Sequence, residues 1–221
     1  MSSSAKTSIK ATQPLTEQSL KRAVARLSEA DEDLARVARE FGAPPLFETE
    51  PGFAALVRIM LAQQVSTAAA RACFDRLLAF APELTPAAFL ALDDDALKRA
   101  GFSRQKIDYV RNLARSLVAG ELDLDALASE TDEVARERLT SLKGVGPWTA
   151  EMYLLRALRR ADAFPAGDLA LQLAAQEIKR LEARPSAREL EALAEEWRPL
   201  RSVAARLLWL RYLNRPRAKK I

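Results

Sequence analysis

Apolar residues recur at intervals of three and four along most of this chain, as in Phe53, Leu56, Val57, Met60 and Leu61, and alternating strand-like runs are almost absent. That period belongs to helices with one buried face, so the fold class expected is all-α. Capping chemistry marks the ends: Thr16 before Glu17, Thr85 followed by Pro86 at a first helical position, Asp93 and Gly101 around a short helix, and a Ser186/Glu189 capping box. The pattern predicts further helices over 53–63, 66–80, 104–119, 131–142, 148–159, 168–182 and 200–213. Connections are short, and only Ala43–Pro51, with its prolines, reads as a crossing between lobes. Two helical lobes around one cleft are expected: a central lobe over 52–150, a second over 12–51 and 151–221, and a flexible N-terminus over 1–11.

Composition narrows the chemistry. With 49% apolar residues in 221, the chain can bury a proper core. Lys and Arg exceed Asp and Glu by 34 to 30, which admits a polyanionic partner without requiring one. The chain has no histidine, which excludes an imidazole base, a Ser-His-Asp arrangement and a His-containing metal site. The lone Cys73 excludes an internal disulfide, a cysteine zinc cage and a four-cysteine iron–sulfur cluster. Met1–Lys10 lacks an apolar core, and no later run is long enough to span a membrane, so a soluble intracellular protein is expected.

Between two amphipathic patterns lies Leu142-Lys143-Gly144-Val145-Gly146-Pro147-Trp148-Thr149-Ala150. Its glycines admit backbone angles closed to other residues, and bare amides beside the N-terminus of the next helix can approach a phosphate. A plain helix–helix turn uses the same glycines. Leu97–Lys106, with Gly101-Phe102 between helices, is at most a degenerate echo of it. Asp168, just before Leu169-Ala170-Leu171-Gln172, is a good N-cap and also a candidate for a working carboxylate. Arg156, Arg159 and Arg160, and the acid-free series Arg211, Arg215, Arg217, Lys219 and Lys220, are solvated faces or phosphate contacts. Asp93–Asp95 reads as capping and surface.

The hairpin resembles the helix-hairpin-helix of the base-excision DNA glycosylase superfamily, and three other segments extend the likeness. Phe164-Pro165-Ala166-Gly167-Asp168 is similar to the loop carrying that family's invariant aspartate, and Leu61-Ala62-Gln63-Gln64-Val65-Ser66 resembles its duplex-probing bend. Trp197-Arg198-Pro199-Leu200-Arg201-Ser202 with Trp209 is similar to the alkylbase branch, the 3-methyladenine glycosylase II group. The resemblance implies two all-α lobes with double-stranded damaged DNA across the cleft, in a compact form without the N-terminal β domain of larger bacterial members. It implies excision of alkylated, cationic purines such as 3-methyladenine and 7-methylguanine by a monomer, in the cytoplasm beside the nucleoid if bacterial and in the nucleus if eukaryotic. A noncatalytic damage-sensing module and a glycosylase for oxidised or deaminated bases are the other readings.

The resemblance also distributes roles. Asp168 would stabilise the positive charge that builds on the sugar as the base leaves. Trp148, Met152 and Trp209 fall at pocket positions for a flipped base, and an indole face attracts a flat cation by roughly 0.5–2 kcal/mol. Either tryptophan on an apolar helix face is otherwise core. Gln63, Gln64, Lys143, Gly144, Val145, Gly146 and Thr149 would meet DNA, Gln64 filling the gap left by the base, unless Gln63 and Gln64 are only a polar interruption before Ser66. Where lyase branches place a Schiff-base lysine, this chain has Trp148, which implies release of the base without strand cleavage. No organic cofactor or iron–sulfur cluster is expected; carbonyls at Thr140, Leu142 and Val145 match those that hold a monovalent cation in related proteins.

Overall fold

A computed structural model of the chain describes residues 13–47 and 49–215. The segment 1–11, expected to be flexible, and the tail residues Arg217, Lys219 and Lys220 lie outside the described residues. Among the described residues there are α-helices, two short 3-10 turns and no strand. In chain order the helices are α1 (Glu17–Ala30), α2 (Glu32–Phe41), α3 (Phe53–Leu61), α4 (Thr67–Phe80), α5 (Pro86–Ala91) and α6 (Asp94–Ala100). They continue with α7 (Arg104–Val118), α8 (Asp132–Thr140), α9 (Pro147–Arg156), α10 (Leu169–Ile178), α11 (Ala187–Ala194) and α12 (Arg201–Leu213).

Most of these helices begin on Ser, Thr or Asp, whose side-chain oxygen accepts a first-turn N–H, a contribution of about 1 kcal/mol each. Ser186 and Glu189 form the expected reciprocal box, and Thr85 caps α5 with Pro86 in its first turn. Asp93 caps α6, which Gly101 closes in a left-handed conformation. The exceptions are α3, α9 and α12, which start at Gly52, Gly146 and Leu200 with no side-chain cap.

Of the helices that end earlier than their apolar patterns predict, three are followed by a left-handed residue: Gln64 (φ 57) after α3, Arg159 (φ 52) after α9 and Arg180 (φ 53) after α10. At the last, the Leu181 N–H turns back to the Gln176 carbonyl at 2.9 Å, closing the helix as a glycine usually does.

The chain forms two compact units. One comprises the described parts of Met1–Leu46 and Arg159–Ile221, the other Phe47–Leu158. In the first, α12 is the central helix: every residue from Arg201 to Leu208 is buried, and α1, α2 and α10 pack against it. In the second, α3 buries Phe53, Ala55, Leu56, Val57, Ile59, Met60 and Leu61 against α4, α7 and α9. Phe89 joins that core, its ring centroid 6.0 Å from Phe53 and 5.8 Å from Phe102. Each fully buried Leu or Phe stabilises its unit by about 1.5–3 kcal/mol.

The expected boundary after residue 150 is corrected, because it would cut α9 in two. Ala150 and Met152–Leu155 are buried on α9, which packs against α3 and α8, and the helix stays whole in the second unit. No helix among the described residues is long and apolar enough to cross a membrane, and Cys73 is a buried free thiol.

Candidate functional site

The hairpin joins α8 to α9, and its two glycines have different reasons to be glycine. Gly144 has φ +93, and a Cβ there would lie 2.3 Å from the Tyr109 ring, so the fold itself demands glycine. Gly146 has φ −89 and ψ 178, extended backbone open to any residue, and a Cβ there would meet nothing within 4 Å. The expectation that both glycines supply forbidden angles is therefore corrected: only Gly144 does. Gly146 is exposed, heads an α9 with no side-chain cap, and leaves bare backbone at the positive end of a helix dipole.

Around that turn, Lys143 is exposed, and the Leu142 carbonyl accepts the Val145 N–H at 3.1 Å. Val145 and Thr149 are buried, which leaves them only their backbone to offer a ligand. Thr140, also placed here by sequence, ends α8 with its hydroxyl donated back to the carbonyls of that helix. None of the described residues forms a cluster of three or more His, Cys, Asp or Glu fit for a metal ion.

The bend after α3 lies beside the hairpin in the same unit. Gln63 donates its Nε2 to the Gly144 carbonyl at 2.9 Å and to Thr149 Oγ1 at 2.8 Å. Residues that sequence reasoning grouped as DNA contacts thus hold each other, and Gln63 buttresses the turn. Gln64 is exposed and left-handed, a conformation that costs a non-glycine residue about 1–2 kcal/mol. Such strain concentrates where a side chain must be presented.

On α9, Trp148 is half-buried, Met152 is buried, and Tyr153 is fully buried with its hydroxyl accepting the Gly52 N–H at 2.9 Å. Burial pushes the Tyr153 phenol up to about 12, a core residue rather than an acid or base. Arg156 lays its guanidinium 4.2 Å from the centroid of the Phe47 ring.

In the other unit, Asp168 caps α10. Its Oδ1 accepts the N–H of Ala170 at 3.0 Å and of Leu171 at 3.1 Å, and also the indole N–H of Trp209 at 3.1 Å. The cap and the candidate carboxylate are one residue, oriented by three donors. The loop before it is tied down at nearly every carbonyl. The Arg159 carbonyl accepts the Leu15 N–H at 2.8 Å, and the Ala161 carbonyl accepts the Ser202 N–H at 3.0 Å. The Ser202 hydroxyl lies 2.5 Å from the Arg160 carbonyl and 2.8 Å from that of Ala163, and Gln172 Nε2 donates to the Ala166 carbonyl at 3.1 Å.

Arg201 grips Asp162 with two parallel bonds, Nε to Oδ1 at 3.0 Å and Nη2 to Oδ2 at 2.9 Å. Trp197 packs edge-on to Phe164 and donates its indole N–H to Asp31 at 2.7 Å. The Trp197–Ser202 segment is therefore the scaffold of the Asp168 loop. Trp209 is half-buried on α12.

Among the described residues of the basic runs, Arg160, Arg211 and Arg215 are not free solvated charges. Arg160 is only 1% exposed, while Arg211 and Arg215 both pair with Glu177. Asp93 is a cap, and Asp94 and Asp95 pair with Arg111 and Lys98, as capping and surface. Sequence reasoning missed Tyr109 beneath Gly144, the Trp209–Asp168 bond and the Arg201–Asp162 pair. Each joins distant positions that no local period connects.

The all-α fold and its hairpin define the helix-hairpin-helix class. Residues 57–199 match the HhH-GPD superfamily of base excision DNA repair proteins, and the chain belongs to that superfamily. It is similar to DNA-3-methyladenine glycosylase 1 of Schizosaccharomyces pombe, with 31% identity over 198 residues, 86% of this chain and 87% of that protein. The alkylbase DNA glycosidase-like protein mag2 of the same organism is 28% identical over 197 residues, covering 86% of this chain and 92% of the relative. Among solved structures, the Schizosaccharomyces pombe 3-methyladenine DNA glycosylase Mag1 in complex with abasic DNA matches with a TM-score of 0.80 and 31% identity, over 85% of this chain and 95% of that one. Other curated relatives are longer, and the chain spans between 32% and 52% of their length.

Proposed function

We propose that this chain is a monofunctional DNA glycosylase that excises alkylated, cationic purines, 3-methyladenine and 7-methylguanine among them, and so begins base-excision repair. The observation that carries this reading is the seat of Asp168, where two backbone amides and an indole N–H converge on one carboxylate oxygen. A helix cap needs only the amides. The third donor comes from a tryptophan, the side chain that a cationic base would stack upon.

The bare backbone at Gly146, with the uncapped first turn of α9, takes a phosphate of double-stranded DNA and sets its register without reading sequence. The lesion base rotates out of the duplex, and Gln64 enters the gap. The base stacks on an indole face, and Trp209, whose N–H meets Asp168, offers one. As the bond from sugar to base lengthens, positive charge grows on the sugar, and the Asp168 carboxylate stabilises it and orients the attacking water. A purine that already carries a positive charge leaves as a neutral base, so this chain needs no strong acid to protonate it.

Trp148 occupies the place of a Schiff-base lysine, so the product is an abasic site in an intact strand. The carbonyls of Thr140, Leu142 and Val145 suit a monovalent cation, which would add positive charge beside the bound phosphate. One lesion on one duplex calls for one copy of the chain, acting where genomic DNA is held.

The test is incubation with methylated duplex DNA followed by chromatography of released bases and a borohydride trap. Free 3-methyladenine and 7-methylguanine with no trapped adduct are expected. DNA binding without release would contradict the assignment, and so would a borohydride-stabilised adduct.

A further inference from the structure

In the unit that holds the hairpin, α7 supports both the turn and the bend. Tyr109 fills the space beneath Gly144. One turn earlier on α7, Lys106 donates its ammonium to the Leu61 carbonyl at 2.6 Å and to the Gln63 carbonyl at 3.1 Å. These oxygens lie at the C-terminal end of α3, the negative end of its dipole, where a cation is favoured. Burial pushes the Lys106 ammonium below its ordinary range, so its charge leans on these carbonyls in place of water.

The Gln63 oxygen belongs to the peptide plane that precedes Gln64. To relax Gln64 from φ 57 to the negative region, that plane must turn relative to the residue that follows it. A cation fastened to the oxygen resists the turn. Gln63 extends the connection, since its side chain holds the Gly144 carbonyl and Thr149. Bend and hairpin are thereby linked through three side chains, those of Lys106, Gln63 and Tyr109.

We propose that Lys106 is a positioning residue for DNA binding: by gripping the Leu61 and Gln63 carbonyls it holds Gln64 in the left-handed conformation that presents it to the duplex, and through Gln63 it keeps that bend in register with the hairpin. The proposal rests on the reading above, in which Gln64 fills the gap left by the lesion. Lys106 acts through the backbone and touches no phosphate itself.

The experiment compares the full chain with Lys106→Met, Lys106→Gln, Gln64→Ala and the Lys106→Met/Gln64→Ala double variant. It measures affinity for a duplex containing an abasic site, the salt dependence of that affinity, and hydrogen exchange of the amides over 62–66. Lys106→Met is expected to weaken binding about tenfold alone and less than about twofold on top of Gln64→Ala, because most of its effect passes through the Gln64 side chain. The salt slope should stay unchanged, exchange over 62–66 should accelerate, and Lys106→Gln, which keeps one donor, should fall between. Equal losses in both backgrounds, with the salt slope reduced by about one, would mean that Lys106 meets a phosphate and would overturn the proposal. If Gln64→Ala itself leaves affinity intact, the gap-filling reading fails and this proposal falls with it. An active Gln64 with an additive Lys106 overturns the proposal alone.

Discussion

The indole N–H of Trp209 and two backbone amides of α10 share one oxygen of Asp168, with the indole bond at 3.1 Å. A residue on α12 therefore aims the carboxylate that starts α10. Trp209→Phe keeps a flat aromatic ring but deletes the donor. A hydrogen bond to a charged group contributes about 1.5–3 kcal/mol, so single-turnover excision should slow by roughly tenfold to a hundredfold. Wild-type rates in Trp209→Phe would mean that the indole only fills space.

The hairpin glycines separate fold from function. Gly144→Ala puts a methyl group into the Tyr109 ring at a φ of +93, and should cost at least about 2 kcal/mol in urea denaturation. Gly146→Ala meets open space in an ordinary conformation, and should change stability by no more than about 0.5 kcal/mol. Its DNA affinity should nevertheless fall about tenfold, as the methyl group holds a phosphate away from the amides. Full affinity in Gly146→Ala would remove the phosphate from that position.

Acid should loosen the other unit through Asp31. This carboxylate is buried, which by itself raises its pKa, but hydrogen bonds from Lys179, Trp197 and the α2 backbone outweigh burial and lower it. A carboxylate lowered on folding adds stability above its unfolded pKa, about 3.9, and loses that contribution as pH falls through the folded value. Lys179, raised chiefly by its bonds to Asp31 and Asp33 against its own burial, adds stability below its unfolded pKa and loses it only as strongly alkaline pH passes the folded value. Asp31→Asn keeps an α2 cap but ends the pairing with Lys179. It should cost about 2 kcal/mol at neutral pH and flatten the fall in stability below about pH 4. An unchanged acid limb in chemical denaturation would show that Asp31 is not its source.

Local chemistry made much of this legible. Thr85 before Pro86, and Ser186 with Glu189, mark helix starts because the capping bonds join residues three apart. Arg159 and Arg180 do not mark helix ends, because a left-handed arginine carries no residue-type signal. Asp168 could be placed from its position before an apolar helix, but the Trp209 bond spans 41 residues and emerges only from packing. The resemblance of their segments assigns Gln63 and Thr149 to DNA, but the bond between them spans 86 residues and has no local signal. Burial of Thr149 directed them to each other.

The central claim is that Asp168 works as well as caps. Methylated duplex DNA treated with the intact chain and with Asp168→Asn, followed by chromatography of the released bases, tests it most directly. Asparagine caps nearly as well as aspartate, so folding should shift by less than about 1 kcal/mol and DNA should still bind. The intact chain should release 3-methyladenine and 7-methylguanine, and the variant should release them at least about a hundredfold more slowly, because the charge facing the sugar is gone. Release at the wild-type rate by a folded, DNA-binding Asp168→Asn would contradict the account.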